Sequence, residues 1–89
     1  MSYMFEGAKN FDQDISDWNV SSVQEMNSMF TNAYSFNQDL SNWDVSNVTI
    51  MFDMFRDAEE LSDNNKCAIH TSFSSNYNWE HDWESYCSD

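Results

Sequence analysis

Residues Met29–Asp53, MFTNAYSFNQDLSNWDVSNVTIMFD, decide the fold, because the preceding stretch Met4–Ser28, MFEGAKNFDQDISDWNVSSVQEMNS, is nearly a copy. When the two stretches are aligned, twelve of twenty-five positions are identical, and Ile15 aligns with Leu40 as a conservative substitution. A repeat of this length is typical of a solenoid, in which each coil buries its apolar residues by stacking on its neighbours. The sequence therefore predicts a stacked repeat protein.

The repeat also sets the predicted domain boundaries. We predict a partial coil at residues 1–3, repeats at 4–28 and 29–53, and the start of a third at 54–61, so that 1–61 form the solenoid. The pattern fails after Leu61, and we predict that residues 62–89 form a C-terminal cap. In this cap a helix is expected from Ser62 to about Ser75, followed by aromatic residues that cover the end of the stack: Trp79, Trp83 and Tyr86.

Each repeat contains a pattern that predicts a short helix. Met26, Met29, Phe30 and Ala33 have the relative spacing 0, 3, 4 and 7, which places them on one helical face. Ser22-Val23-Gln24-Glu25 has the form of a capping box before it. The same spacing recurs in a set that begins at Met51 and in one that begins at Met1.

A second part of each repeat predicts a strand. Trp18-Asn19-Val20 and Trp43-Asp44-Val45 alternate apolar and polar residues, the period of a strand with one buried face. Coils stacked through such strands would lie about 4.8 Å apart.

The charge of the chain limits its partners. The formal net charge is -13, with three Lys and Arg residues in total. Nucleic acid and anionic lipid bind basic surfaces, so both are excluded as expected partners, whereas cationic partners remain. The sequence contains neither a membrane-spanning run nor a signal-peptide pattern.

Every Cys and His residue falls in the last quarter of the chain, in the order Cys67, His70, His81 and Cys87. Such a set could hold a tetrahedral zinc ion. The alternatives are free thiols or a Cys67–Cys87 disulfide, which would contribute about 3 kcal/mol by closing its loop. We predict the disulfide.

Repeated carboxylates form a candidate calcium site, because stacking would bring Asp12 and Asp14 close to Asp39. Oxygen ligands suit calcium. The alternative, which we favour, is that these side chains hold turns by bonding nearby backbone N–H groups. Catalytic combinations of Ser, His, Asp and Cys do not exceed chance in this Ser- and Asp-rich chain, so we predict that the protein is not an enzyme.

Positions where the repeats differ suggest contact residues. Lys9 becomes Tyr34, Glu25 becomes Ile50 and Asn27 becomes Phe52. We predict that Tyr34, Ile50 and Phe52 are exposed apolar anchors for a protein partner. The alternative for Ile50 and Phe52 is that they pack beneath the cap.

The pattern from Phe36 to Ala58, Phe-Asn-Gln-Asp-Leu-Ser-x-Trp-Asp-Val-Ser-Asn-Val-Thr-x-Met-x-x-Met-Phe-x-x-Ala, closely resembles the repeat of BspA-like leucine-rich-repeat surface proteins of bacteria, mycoplasmas and protists. The resemblance covers roughly residues 1–61. It implies an α/β fold, a right-handed β/α solenoid, displayed at a cell surface or secreted, and it implies no catalytic residues.

The resemblance also implies a binding surface. Polar residues of the predicted strands would line an open sheet face of the kind that leucine-rich-repeat proteins use for binding: Asn19, Ser21, Asp44 and Ser46. We therefore expect a non-enzymatic extracellular module for protein binding or adhesion. The alternative is a structural unit that assembles end to end through its uncapped N-terminal coil, with calcium as a further hypothesis for stabilisation.

Overall fold

The computed structural model describes residues 1–87, so the last two residues of the predicted cap lie outside the described part. Its helices are α1, Asp63–Phe73, and a 3-10 helix, Glu84–Cys87. Within residues 1–87 there is no β-strand, and one isolated parallel bridge joins Glu25 to Ile50. The prediction of a right-handed β/α solenoid of the leucine-rich-repeat type is therefore wrong.

Overlapping turns replace the helix predicted from Met26. The N–H groups of Met29, Thr31 and Ala33 each donate to the carbonyl three residues earlier, at 3.3, 3.3 and 3.0 Å. Ser28 and Asn32 have φ angles of 57° and 60°, in the left-handed region. A right-handed helix cannot continue through such residues. The apolar spacing of Met26, Met29, Phe30 and Ala33 does mark one buried face, but a run of turns produces this face as well as a helix does.

Three equivalent turn segments, residues 1–8, 26–33 and 51–58, lie side by side. Left-handed residues recur at the same two places in each: Tyr3, Gly7, Ser28, Asn32, Asp53 and Asp57. Glycine adopts this conformation without steric cost, and Asn and Asp tolerate it better than most residues. Gly7, Asn32 and Asp57 therefore fit the requirement of the second place.

Backbone hydrogen bonds join each turn segment to the next in a constant register. The N–H groups of Tyr3, Phe5 and Gly7 donate to carbonyls 24 residues later, at 3.2, 2.8 and 2.9 Å. The next segment repeats the arrangement, as in the bond from the Phe30 N–H to the Met54 carbonyl at 2.8 Å. The donors are alternate residues, and the N–H groups between them close the turns. The backbone is thus paired between segments without forming strands.

The predicted strands are absent for a similar reason. Trp43 and Val45 are buried and Asp44 is exposed, as the alternating pattern requires. The backbone there forms turns, because Trp43 donates to the Leu40 carbonyl and Val48 to the Val45 carbonyl, each at 3.0 Å.

The core is a set of aromatic stacks that run from one turn segment to the next. The rings of Phe5 and Phe55 lie on either side of Phe30, with centroids 5.3 and 5.2 Å away and planes within 10° of parallel. Phe11 stacks on Phe36 at 5.9 Å, and the two residues occupy the same position in the aligned repeats. Identical residues at one repeat position therefore pack against each other, which explains why the two copies are so similar.

The cap begins with α1. Ser62 accepts a hydrogen bond from the Asn65 N–H at 3.2 Å as its N-cap, and Ile69 and Phe73 are buried. The helix predicted to begin at Ser62 is confirmed, although it ends at Phe73. After it, the buried Asn76 side chain donates to the carbonyls of Val45 and Val48 at 2.9 and 2.8 Å.

No helix in residues 1–87 has the length and apolar character needed to cross a bilayer.

Candidate functional site

The repeated polar residues mostly hold turns. The Oδ1 atoms of Asn19 and Asp44 accept from the N–H groups of Ser21 and Ser46, at 3.1 and 3.0 Å. Each also accepts from the serine hydroxyl two residues later, at 2.7 and 2.6 Å. The hydroxyl bond, followed by the backbone bond, lowers the pKa of Asp44 from its usual range. These four residues form two surface turns, so the prediction that they line an open sheet face is wrong, because residues 1–87 contain no β-strand. Their role in partner binding stays a prediction.

The carboxylates considered for calcium are bonded in the same manner. Asp14 accepts from the Ser16 N–H at 2.9 Å and Asp39 from the Ser41 N–H at 2.8 Å. The pKa of Asp14 is lowered, first by the Ser16 hydroxyl and then by its N–H. Residues 1–87 contain no group of three or more His, Cys, Asp and Glu side chains placed to share a metal ion. These hydrogen bonds agree with the alternative that the carboxylates of Asp14 and Asp39 hold turns by bonding nearby backbone N–H groups.

Asp12 has a different role, because it links two repeats. Its Oδ1 accepts from the Asn37 N–H at 2.9 Å and from the Gln38 side chain at 2.8 Å. One repeat later, Asn37 Oδ1 accepts from the Ser62 N–H at 2.8 Å. This position therefore carries Asp or Asn because its oxygen caps a backbone donor of the following layer.

The cysteines and histidines do not assemble as zinc ligands. Cys67 and Cys87 form a disulfide, consistent with the prediction, which joins α1 to the 3-10 helix. His70 Nδ1 accepts from the indole N–H of Trp79 at 3.0 Å, and His81 Nε2 accepts from the Phe55 N–H at 3.2 Å. All four side chains have partners within the protein.

The contact of His81 belongs to a capping arrangement that the sequence did not reveal. In the earlier turn segments, Ser28 and Phe30 donate to carbonyls of the next segment. The equivalent donors of the last segment are Asp53 and Phe55. The Asp53 N–H donates to Glu80 Oε1 at 2.7 Å, and the Phe55 N–H donates to His81. Glu80 and His81 thus supply the acceptors that a further turn segment would have provided.

Burial lowers the pKa of His81 below its ordinary value of 6.5, while the nearby carboxylates of Glu80 and Asp53 act in the opposite direction. The unfolded chain therefore binds a proton at this position more strongly than the folded protein does. The stability that His81 contributes should be complete above about pH 6.5 and should be lost as the pH falls through the lower folded value.

We expect a His81→Gln variant to lose less stability than the wild type between about pH 7.5 and about pH 5, because glutamine offers an oxygen acceptor that does not titrate. Urea unfolding followed by tryptophan fluorescence at the two pH values measures the difference. Equal losses of unfolding free energy in the two proteins would show that His81 does not carry this pH dependence.

The predicted apolar anchors lie at the surface. Tyr34, Ile50 and Phe52 are all exposed, so Ile50 and Phe52 are not packed beneath the cap. Tyr77 is the most exposed of the large apolar residues, at 94%, and sequence reasoning missed it because it lies outside the repeat. Its one available signal was an aromatic residue within the polar run Ser74–Asn78.

Ile50, Phe52 and Tyr77 lie on two chain segments that meet where the last turn segment contacts the cap. Thr49 and Tyr77 line the same cleft of about 220 Å³. Asp53 is bonded to Glu80, so the chain around residues 49–53 runs beside residues 76–80. We call the exposed side chains of Ile50, Phe52 and Tyr77 the apolar seam.

Comparison with known proteins identifies the family. A family model described as "Mycoplasma protein of unknown function, DUF285" matches residues 1–85. The chain belongs to this family. The DUF285 match includes the three turn segments, α1 and the tryptophans of the cap, so it extends well beyond the repeat itself. No curated protein and no solved structure matches the chain, and the resemblance to BspA-like proteins is not confirmed.

Proposed function

We propose that this DUF285 protein is a non-enzymatic protein-binding module and that the apolar seam contacts the partner. The observation that carries the proposal is the exposure of two aromatic side chains, Phe52 at 47% and Tyr77 at 94%, of which Tyr77 lines the cleft at the junction with the cap. Aromatic residues are enriched at interfaces, and a few such anchors usually supply most of the binding energy. Tyr34 is a further exposed aromatic residue for the same role.

The chemistry of the surface suggests the character of the partner. With a net charge of -13, the protein attracts a partner whose contact surface is basic around an apolar centre. Charge of this kind mainly raises the association rate, and the effect weakens with salt.

Two features support an extracellular or cell-surface location. The Cys67–Cys87 disulfide is typical of proteins in oxidising compartments. The repeat also resembles that of BspA-like surface proteins, which suggests a role in adhesion. An enzymatic role has no comparable support, since the repeated carboxylates hold turns and the two histidines bind within the cap.

End-to-end assembly of identical copies has less support than partner binding. Head-to-tail stacking would require free N–H donors on the last turn segment. Those of Asp53 and Phe55 are already bonded to Glu80 and His81.

A binding screen against an array of cell-surface proteins, followed by surface plasmon resonance on each hit, tests the proposal. We expect a Phe52→Ala, Tyr77→Ala double variant to bind at least about 30-fold more weakly, the effect of losing about 2 kcal/mol at a hot spot. Tyr3→Ala is the matched control, because Tyr3 is an exposed aromatic residue in the first turn segment. Equal binding by the double variant, or the absence of any hit, would contradict the proposal.

A further inference from the structure

Two of the three lysine and arginine residues of this acidic chain line a single cleft. The cleft has a volume of about 300 Å³ and lies where the third turn segment, α1 and the chain before the 3-10 helix meet. Arg56 belongs to the turn segment and Lys66 to α1. Pockets that hold small molecules begin at about this volume, so the cleft has room for one small ligand. It is separate from the apolar seam, whose Tyr77 lines another cleft.

Lys66 carries a positive charge without a carboxylate beside it. Its side chain is half-buried, and the ammonium lies 4.5 Å from the centroid of the Tyr86 ring and 5.9 Å from that of Trp83. The ion pairs among residues 1–87 both involve Arg56, so Lys66 has no carboxylate partner there. The rings orient the ammonium and leave its N–H donors available to an anion. The disulfide joins the same two helices, so this wall of the cleft is held in place before a ligand arrives.

Arg56 is held only weakly by its acidic neighbours. Its Nη1 atom lies 3.8 Å from an oxygen of Asp53 and its Nε atom 3.9 Å from an oxygen of Asp57, and both distances exceed that of a hydrogen bond. The arginine side chain is 65% exposed, and exposed pairs of this kind contribute little to stability. The planar guanidinium is therefore available to bind a carboxylate through two parallel N–H bonds. A carboxylate suits both cations of the cleft.

The other polar groups that line the cleft favour hydroxyl groups on the ligand. Asp57 and Glu59 are exposed carboxylates, which accept hydrogen bonds and repel a second carboxylate. Neutral His81 offers a donor, because its Nε2 accepts from the Phe55 N–H and its ring proton therefore lies on Nδ1. A hydroxyl group both donates and accepts, so it satisfies both kinds of group.

Aromatic rings supply an apolar wall to the same cleft. The rings of Trp83 and His81 stack on each other, with centroids 4.9 Å apart and planes 26° from parallel. Both side chains are half-buried, and Trp83 also packs against Phe55 at 5.3 Å between centroids. A wall of this kind gains dispersion energy from the C–H groups of a saturated ring. It is therefore suited to the apolar face of a sugar.

We propose that this cleft binds a sugar acid, a pyranose ring that carries a carboxylate. The carboxylate is bound by Lys66 and Arg56, the hydroxyl groups donate to Asp57 and Glu59, and the C–H face of the ring packs on Trp83. A neutral sugar leaves the two cations without an anion. A carboxylic acid without hydroxyl groups brings no donors to the two protein carboxylates. The site is an addition to the protein-binding role and does not depend on the apolar seam.

Titration of glucuronate into the intact oxidised protein, and separately of its epimer galacturonate, tests the proposal. At about 0.15 M salt, which screens unspecific attraction, we expect saturable one-to-one binding of at least one of them. Nuclear magnetic resonance shifts should appear at the Trp83 indole and at the side chains of His81 and Arg56. Glucose has the ring without the carboxylate, and cyclohexanecarboxylate has the carboxylate without the hydroxyl groups. Each should bind at least about tenfold more weakly than the better sugar acid.

Variants of the two cations test the named contacts. Lys66→Met removes the ammonium but keeps an unbranched side chain, and it should weaken binding about tenfold or more, whereas Lys66→Arg should retain binding. Arg56→Gln provides an independent test outside α1 and should also weaken binding. Lys9→Met is the matched control, because it changes the net charge equally at an exposed residue that does not line the cleft. Phe52→Ala, in the apolar seam, should leave the affinity unchanged.

The proposal is overturned if neither sugar acid gives saturable binding, or if glucose or cyclohexanecarboxylate binds as tightly as the better of the two. It is also overturned if Lys66→Met and Arg56→Gln both bind like the wild type. Equal weakening by Lys9→Met would overturn it as well, since net charge alone would then account for the effect.

Discussion

Replacement of Phe30 by alanine should lower the free energy of unfolding by about 3–5 kcal/mol, a large part of the total for a domain of this size. Phe30 is fully buried at the centre of the aromatic stack. Its ring lies 4.3 Å from Phe36 and between the rings of Phe5 and Phe55, measured between centroids. Removal of the ring leaves a cavity bounded on both sides, which the neighbouring turn segments cannot fill without losing their hydrogen bonds.

Phe5→Ala is the matched control, because Phe5 occupies the same repeat position in the first segment and is only partly buried. The Phe5→Ala substitution should lower the free energy of unfolding clearly less than the Phe30→Ala substitution does. Urea unfolding of both variants, followed by tryptophan fluorescence, gives the comparison. Equal costs for the two variants would mean that stacking between segments does not hold the core together.

Removal of the disulfide by Cys67→Ser and Cys87→Ser should cost about 2–5 kcal/mol. The bond spans 20 residues and ties α1 to the 3-10 helix. Between them, the rings of Trp79 and Trp83 pack against Phe55. His81 accepts from the Phe55 N–H, and Glu80 accepts from the Asp53 N–H. Without the bridge, the unfolded chain gains entropy. The contacts that remain between α1 and the 3-10 helix include that of the Lys66 ammonium over the Tyr86 ring, at 4.5 Å.

Urea unfolding of the double serine variant beside the oxidised wild type measures this cost. Hydrogen exchange at the Phe55 amide provides a local readout, since it should accelerate when the cap opens. The reduced wild type is a control for the substitutions themselves and should resemble the variant. An unchanged unfolding midpoint would contradict the structural role given to the bridge.

The repeat made the buried positions predictable. Met26, Met29, Phe30 and Ala33 share one predicted apolar face, and all four are fully buried. The start of α1 was predictable because Ser62 is a local N-cap signal. The pairing of Cys67 with Cys87 was favoured over zinc ligation and free thiols because the resemblance implies a surface protein, in which disulfides are common. The exposure of Tyr34, Ile50 and Phe52 could be inferred because these positions differ between repeats.

The backbone of the repeat could not be predicted in the same way. A helix and a run of turns share the apolar spacing of Met26, Met29, Phe30 and Ala33. They differ in whether the Phe30 N–H donates four residues back or 24 residues forward, and the forward partner is a contact that no local pattern encodes. The left-handed conformation of Ser28 has no strong signal either, since serine is not a residue that favours it.

The capping acceptors illustrate the same limit. The tryptophans of the tail suggested a cover for the stack, but Glu80 and His81 appear as ordinary polar residues in the sequence. Their role becomes visible only when Asp53 and Phe55 are recognised as the last members of a row of donors.

The central claim is that alternate N–H groups of one turn segment donate to carbonyls of the next. Nuclear magnetic resonance detection of scalar couplings across hydrogen bonds tests it directly. We predict a coupling between the Phe30 amide nitrogen and the Met54 carbonyl carbon, because the N···O distance of this hydrogen bond is 2.8 Å, and a second coupling between the Asn32 nitrogen and the Arg56 carbonyl carbon. A coupling from Phe30 to the Met26 carbonyl would instead establish a helix and contradict the account.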